Sequence, residues 1–182
     1  MKKKLLILLL LSISFSTFAD WRLEERIDDF EETTNYFIFS EHAKPNKPMS
    51  WPHDKAYAFL YYGCSSNSIT MSVSANNLVN DDSYAGDRRR IYINVKVDGV
   101  VDKGVRVYQD LMSDFIHFSR SQTERKLLDA KELVIQLNHY NQGQRTYTFN
   151  MEGLRPLMVN QCSFVPMTWL DKNFNDDAYL GF

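Results

Sequence analysis

Arg90-Ile91-Tyr92-Ile93-Asn94-Val95-Lys96-Val97 alternates apolar and polar side chains without a break, and Asp98-Gly99 follows at once. A period of two is the spacing of a strand with one buried face. Asp-Gly after such a run is the signal of a tight hairpin turn. Val100 and Val101 begin the return, and Gly104 then opens a further short strand, Val105 to Tyr108.

The same reading extends in both directions. Upstream, Asn35 to Ser40 and Tyr57 to Tyr62 are aromatic and β-branched, and Ser68 to Ser74 alternates through Ile69, Met71 and Val73. Three prolines make Lys44 to Pro52 a loop, and Asn76 to Gly86 reads as a long, mobile polar connection. Downstream, Phe115 to Phe118, Glu132 to Asn138 and Arg145 to Asn150 read as strands, with Asn141-Gln142-Gly143 as a hairpin loop. Ser121 to Ala130 and Gly153 to Gln161 carry the apolar spacing of short helices. Seven to nine strands with one or two short helices predict an all-β or mainly β domain, an antiparallel β-sandwich.

The first nineteen residues have the three parts of a secretory signal. Lys2, Lys3 and Lys4 form the basic start, Leu5 to Leu11 the apolar run, and the stretch ending in Ala19 the cleavage region. Cleavage is expected near Ala19 and Asp20. The apolar run is far shorter than the about 20 residues that span a bilayer, so no stable membrane span is expected after cleavage. The expected organisation is a signal peptide over 1–19, a β-sandwich over 20–170 and a C-terminal tail over 171–182. The location is then periplasmic or secreted. After removal of the signal, 18 Lys and Arg face 23 Asp and Glu. Nothing in that balance calls for nucleic acid. The run Arg88-Arg89-Arg90 is flanked by Asp81, Asp82 and Asp87 and reads as a solvated strand end.

Cys64 and Cys162 are the only two cysteines of the chain. An oxidising compartment makes them a disulfide rather than two buried thiols. Their separation rules out a Cys-x-x-Cys redox pair.

Catalytic motifs are missing. There is no nucleophile elbow, no Gly-rich phosphate loop, and no metal spacing among His42, His53, His117 and His139. No catalytic residue, metal or cofactor is assigned. His53 and His139 are expected at the surface, and His117 is expected to point outward from its strand. Asp28, Asp29, Glu31 and Glu32 read as a solvated acidic segment, and Asp81, Asp82 and Asp87 lack the ligand spacing of a calcium loop. Trp51, His53 and Trp169 lie in turn-rich segments and form a candidate binding loop, since aromatic side chains on loops mark contact surfaces. The terminal Phe182 invites comparison with an outer-membrane barrel, whose strands are about ten residues with an apolar lipid face. The runs here are shorter.

Taken in order, several features resemble the VasI and TagO type of type VI secretion-associated proteins, over Trp21 to Cys162. They are the early Trp21, the Asp28-Asp29 to Phe39 segment, the strand leading into Cys64, the Ser68 to Val73 strand, and the strand ending in Val97-Asp98. Arg145-x-Tyr147-x-Phe149, then Gly153-Leu154 and Cys162, complete the set. The chain departs from that pattern in its Pro-rich Lys44 to His53 loop and in the twenty residues beyond Cys162. The resemblance implies a non-enzymatic periplasmic accessory whose partner is a protein of the envelope, such as a secretion-apparatus component, and it brings no catalytic residues. The alternative is an envelope hydrolase, or an inhibitor of a cell-wall enzyme.

Overall fold

The computed structural model describes residues 21–28, 30, 32–65, 68–75, 78, 84–110, 113–118, 127 and 129–162. The expected signal peptide, the C-terminal tail, Trp169 and most of the Ser121 to Ala130 helix lie outside the described residues.

Ten strands and one helix are seen among them: β1 Trp21–Asp28, β2 Thr33–Ser40, β3 Ala58–Gly63, β4 Ser68–Val73, β5 Tyr84–Ala85, β6 Arg88–Val97, β7 Val100–Asp110, β8 Phe115–His117, β9 Glu132–His139, β10 Gly143–Asn150 and α1 Leu154–Gln161. All pairings are antiparallel. The strands follow one path, β1-β2-β3-β4-β8-β7-β6-β9-β10, and β5 pairs with the start of β6. The domain is therefore mainly β, as the alternation predicts.

The expected sandwich is built from one sheet that folds over. Ile38 of β2, Leu60 and Tyr62 of β3, Ile91 and Ile93 of β6, Leu133 and Ile135 of β9 and Tyr147 of β10 all enter the same buried cluster. The two ends of the path also meet, where the Trp21 indole N–H donates to the Asn150 carbonyl at 3.0 Å. A sheet with one apolar face has to cover that face, and curling it over a common core does so. Leu154 and Met158 of α1 fill an open end. The helix also brings Cys162 to Cys64, and the two form a disulfide with Cα atoms 4.9 Å apart.

Two sequence expectations are corrected by the backbone. Val105 to Tyr108 is no separate strand but the middle of β7. Gly104 marks a β-bulge, with φ +65° and the register of β6 and β7 shifting between Ile93 and Val95. Asn94 Oδ1 accepts the Gly104 N–H at 3.0 Å there. Secondly, Asn76 to Gly86 is not simply a polar connection, because Leu78 is buried and bridges to His139, and Tyr84–Ala85 pairs with β6. The acidic segment starts at the end of a strand, Asp28 being the last residue of β1, and Asp28 and Glu32 are both exposed. Asp29 and Glu31 lie outside the described residues.

The Asp98-Gly99 turn forms as expected, with Val97 paired to Val100 and positive φ at both turn residues. Asp98 Oδ1 also accepts the main-chain N–H groups of Lys131 and Glu132, each at 2.9 Å. Those bonds hold its carboxyl below the usual carboxylate range, and they tie the β6–β7 turn to the start of β9.

Candidate functional site

Alternation that sends Ala58, Leu60 and Tyr62 of β3 into the core sends Phe59 and Tyr61 to the outer face. Phe37 and Phe39 of β2 and Phe115 of β8 lie on the same face, each half-buried. Between them β4 presents only Thr70 and Ser72, so rings from the flanking strands close over it. Tyr61 meets Phe115 edge-on with ring centres 5.6 Å apart. Phe39 lies 5.8 Å from Tyr61 and 6.0 Å from Phe59, and His42 continues the ribbon, stacked on Tyr57 at 4.4 Å. On β1, the Arg26 guanidinium lies 5.1 Å from the Phe37 ring centre and Arg22 lies 5.6 Å from that of Phe39. These are cation–π distances. Outer sheet faces are ordinarily polar, whereas here half-buried rings pack on one another with Arg22 and Arg26 at their rim.

One end of this face carries a polar cluster. His117 Nε2 lies 2.8 Å from Asp110 Oδ2, and its Nδ1 lies 3.5 Å from the Thr70 hydroxyl, at the outer limit of a hydrogen bond. Arg88 Nε donates to Asp110 Oδ1 at 3.0 Å and Ser113 Oγ to Oδ2 at 3.3 Å. Burial acts to raise the Asp110 pKa, but the hydrogen bond and charge of His117 and the charge of Arg88 together outweigh it and leave it below the usual range. His117 thus points outward, as its place on the strand predicts. Carboxylate, imidazole and hydroxyl stand in the order of a nucleophilic triad. However, Thr70 is only 2% exposed, which leaves its hydroxyl no open approach for a substrate.

The Pro-rich segment is a loop, as its prolines predict. It runs along the free side of β10. Asn46 N–H donates to the Thr146 carbonyl at 2.9 Å and Asn46 Oδ1 accepts the Thr146 N–H at 3.0 Å. Gln142 Oε1 accepts the Ser50 N–H at 2.9 Å, and Met49 is buried in the core. The loop therefore seals a sheet edge and, past Met49, holds Trp51 out in solvent at 84% exposure. The Trp51-Pro52 peptide is cis. His53 sits half-buried beside it. Of the candidate binding loop, Trp51 and His53 lie in one turn, where the His53 N–H donates to the Ser50 carbonyl at 2.9 Å, and Trp169 lies outside the described residues.

His139 corrects a sequence expectation. It continues the inward parity of Leu133, Ile135 and Leu137 and is 1% exposed, rather than at the surface. The Tyr147 hydroxyl lies 3.2 Å from its Nε2. Burial, reinforced by the nearby charges of Arg145 and His53, pushes its pKa down to about 4. Burial likewise pushes the Tyr147 phenol up to about 12. Both groups are therefore neutral at physiological pH, which suits a satisfied core pair.

The two Cys are legible from composition; the aromatic outer face shows in the sequence only as a second apolar parity on β2 and β3, carried by Phe37, Phe39, Phe59 and Tyr61. Among the described residues no group of three or more His, Cys, Asp or Glu side chains is placed to hold a metal ion. Compared with models of protein families, with curated proteins and with solved structures, the chain matches none of them.

Proposed function

We propose that this chain is an exported, non-enzymatic interaction module of the cell envelope, and that its contact surface is the aromatic outer face of β2, β3 and β8 together with the Trp51 loop. The observation that carries the reading is the run of half-buried rings from Phe39 through Tyr61 to Phe115, rimmed by Arg22 and Arg26. Such a face costs solubility unless something covers it. Support for an extracytoplasmic location comes from the signal-like first nineteen residues and from the disulfide. The ordered resemblance from Trp21 to Cys162 makes a component of a type VI secretion apparatus the first partner to test.

A second reading, an envelope hydrolase or an inhibitor of a cell-wall enzyme, is favoured by one observation, the Asp110–His117–Thr70 order. The burial of Thr70 places it second.

The test is capture from living cells with a photo-crosslinking side chain at Phe59, and separately at the exposed Tyr92 as a control. Recovery of secretion-apparatus proteins from position 59 and not from 92 supports the proposal. A cell-wall enzyme in their place, or release of muropeptides by the purified chain that is abolished by His117→Ala, transfers the function to the second reading.

A further inference from the structure

The two ends of the folded sheet are treated differently. The outer side of β10 is sealed at Thr146 by Asn46, with Ser50 held on Gln142 just before the strand, whereas among the described residues no strand lies on the outer side of β1. Which main-chain groups β1 offers there follows from the register. Cys64 N–H donates to the Tyr36 carbonyl, so Tyr36 and Ile38 direct their main-chain groups to β3, and Phe37 and Phe39 direct theirs to β1. Their partners Glu24 and Arg22 are consequently bonded inward. Leu23, Glu25 and Ile27 then turn their N–H and C=O groups to the open side. Leu23 and Ile27 are also exposed, at 37% and 67%.

The sequence of this strand, Arg22-Leu23-Glu24-Glu25-Arg26-Ile27-Asp28, is self-complementary when run antiparallel against itself. With Glu25 opposite Glu25 of a second copy, Leu23 faces Ile27, Glu24 faces Arg26, and Arg22 faces Asp28, each twice. The pairs Leu23/Ile27 and Glu25/Glu25 fall at hydrogen-bonded positions. The charge pairs fall at the non-hydrogen-bonded positions, where side chains approach closest. Registers slipped by two residues are worse: one sets Arg22 against Arg26 and Glu24 against itself, the other sets Glu24 against Asp28 and Arg26 against itself. A slip that keeps the charges opposed, with Leu23 on the dyad, overlaps only the first residues of the strand.

We propose that two copies of this chain associate through β1, edge to edge, in this register, joining their sheets across a two-fold axis. The pairing adds six main-chain hydrogen bonds and covers Leu23 and Ile27. It also makes the aromatic outer faces of the two copies continuous, with the Arg22 and Arg26 rims at the centre. A two-fold is the usual closure for a self-complementary strand edge.

The test uses the full chain, expressed with its own N-terminal segment and purified with its disulfide intact. Sedimentation velocity over a range of concentrations should show a monomer–dimer equilibrium. Glu24→Arg and Arg26→Glu should each weaken the dimer about tenfold, since each turns two attractive cross-strand pairs repulsive, and the two together should restore it. Glu25→Gln should tighten it. Glu25→Cys should cross-link two copies on mild oxidation, because residues facing across the dyad stand at about 5.5 Å. Ile27→Cys should not, its counterpart being four residues further along at about 3.4 Å per residue. A monomer at every concentration overturns the proposal. So does a dimer indifferent to the charge variants, or one cross-linked from position 27 and not from 25. Circular dichroism of each variant separates loss of association from loss of fold.

Discussion

The hydroxyl of Tyr147 and Nε2 of His139 lie 3.2 Å apart inside the core, joining β9 and β10 by side chains as well as by main chain. Because the folded His139 resists protonation until about pH 4 while an unfolded histidine protonates near 6.5, the unfolded state binds the extra proton first. Stability from this group is therefore complete above about pH 6.5 and declines as the pH falls toward 4. Thermal unfolding followed across that interval should show a loss of about 2–3 kcal/mol attributable to it. In His139→Leu that slope should be absent. Tyr147→Phe should cost about 1 kcal/mol at pH 7.

Asp110 has the opposite sign. Its folded carboxyl titrates below the unfolded one, so the stability it contributes is present above the ordinary aspartate range and is lost as the pH falls through its lower folded value. Asp110→Asn should make the protein less sensitive to acid below pH 4, while at pH 7 it should lose about 1 kcal/mol or less, the ion pairs being partly solvated. Chemical denaturation at the two pH values checks both parts.

Replacing Cys64 and Cys162 together with serine should remove roughly 4 to 5 kcal/mol, the chain-entropy value for a loop of about 100 residues. Denaturant midpoints of the oxidised and substituted proteins measure this. Intact mass before and after reduction should differ by two hydrogens.

Trp51→Ala should leave stability within about 0.5 kcal/mol, since the ring is almost wholly in solvent, yet reduce capture of the partner. Met49→Ala, two residues earlier and buried, should cost about 2–5 kcal/mol and loosen the loop from β10. A melting curve and a pull-down on each variant separate anchoring from contact. Equal loss of binding in both, with Trp51→Ala also destabilised, would count against Trp51 as a contact.

Gly104→Ala places a side chain at φ +65°, where the bulge holds the backbone. A cost of about 1 kcal/mol is expected. No Cβ clash adds to it, because nothing approaches within 4 Å.

Strands with one buried face were readable because their period is a direct consequence of the pleat, and so Ile91 to Val97 and Leu133 to Leu137 could be placed in the core from sequence. β1 was not, for an equally physical reason. As an edge strand with little of itself buried, it carries charge where a central strand carries Val or Ile. The bulge at Gly104 looked like a break since a glycine at positive φ serves both. His139 was misplaced by its residue type, although the parity of its strand pointed inward. The aromatic face is hard to read because a strand with one buried face carries one apolar parity, whereas in β3 both parities are apolar. Composition alone could pair the cysteines, but Trp51 needed the anchoring of Met49 to be seen as held outward.

The bond between Cys64 and Cys162 encloses β4 through β10 and α1 in a covalent ring, leaving β1, β2 and β3 outside it. Made from its N-terminus, the chain exposes its first thiol long before its second exists. The ring can close only when every one of the ten described strands has arrived, and a chain broken off between residues 64 and 162 keeps Cys64 as a reactive thiol. The disulfide thereby acts as a completion mark for the sheet: a sealed molecule has all ten strands and the helix, and one cut short between them remains chemically distinguishable to any thiol-directed enzyme it meets.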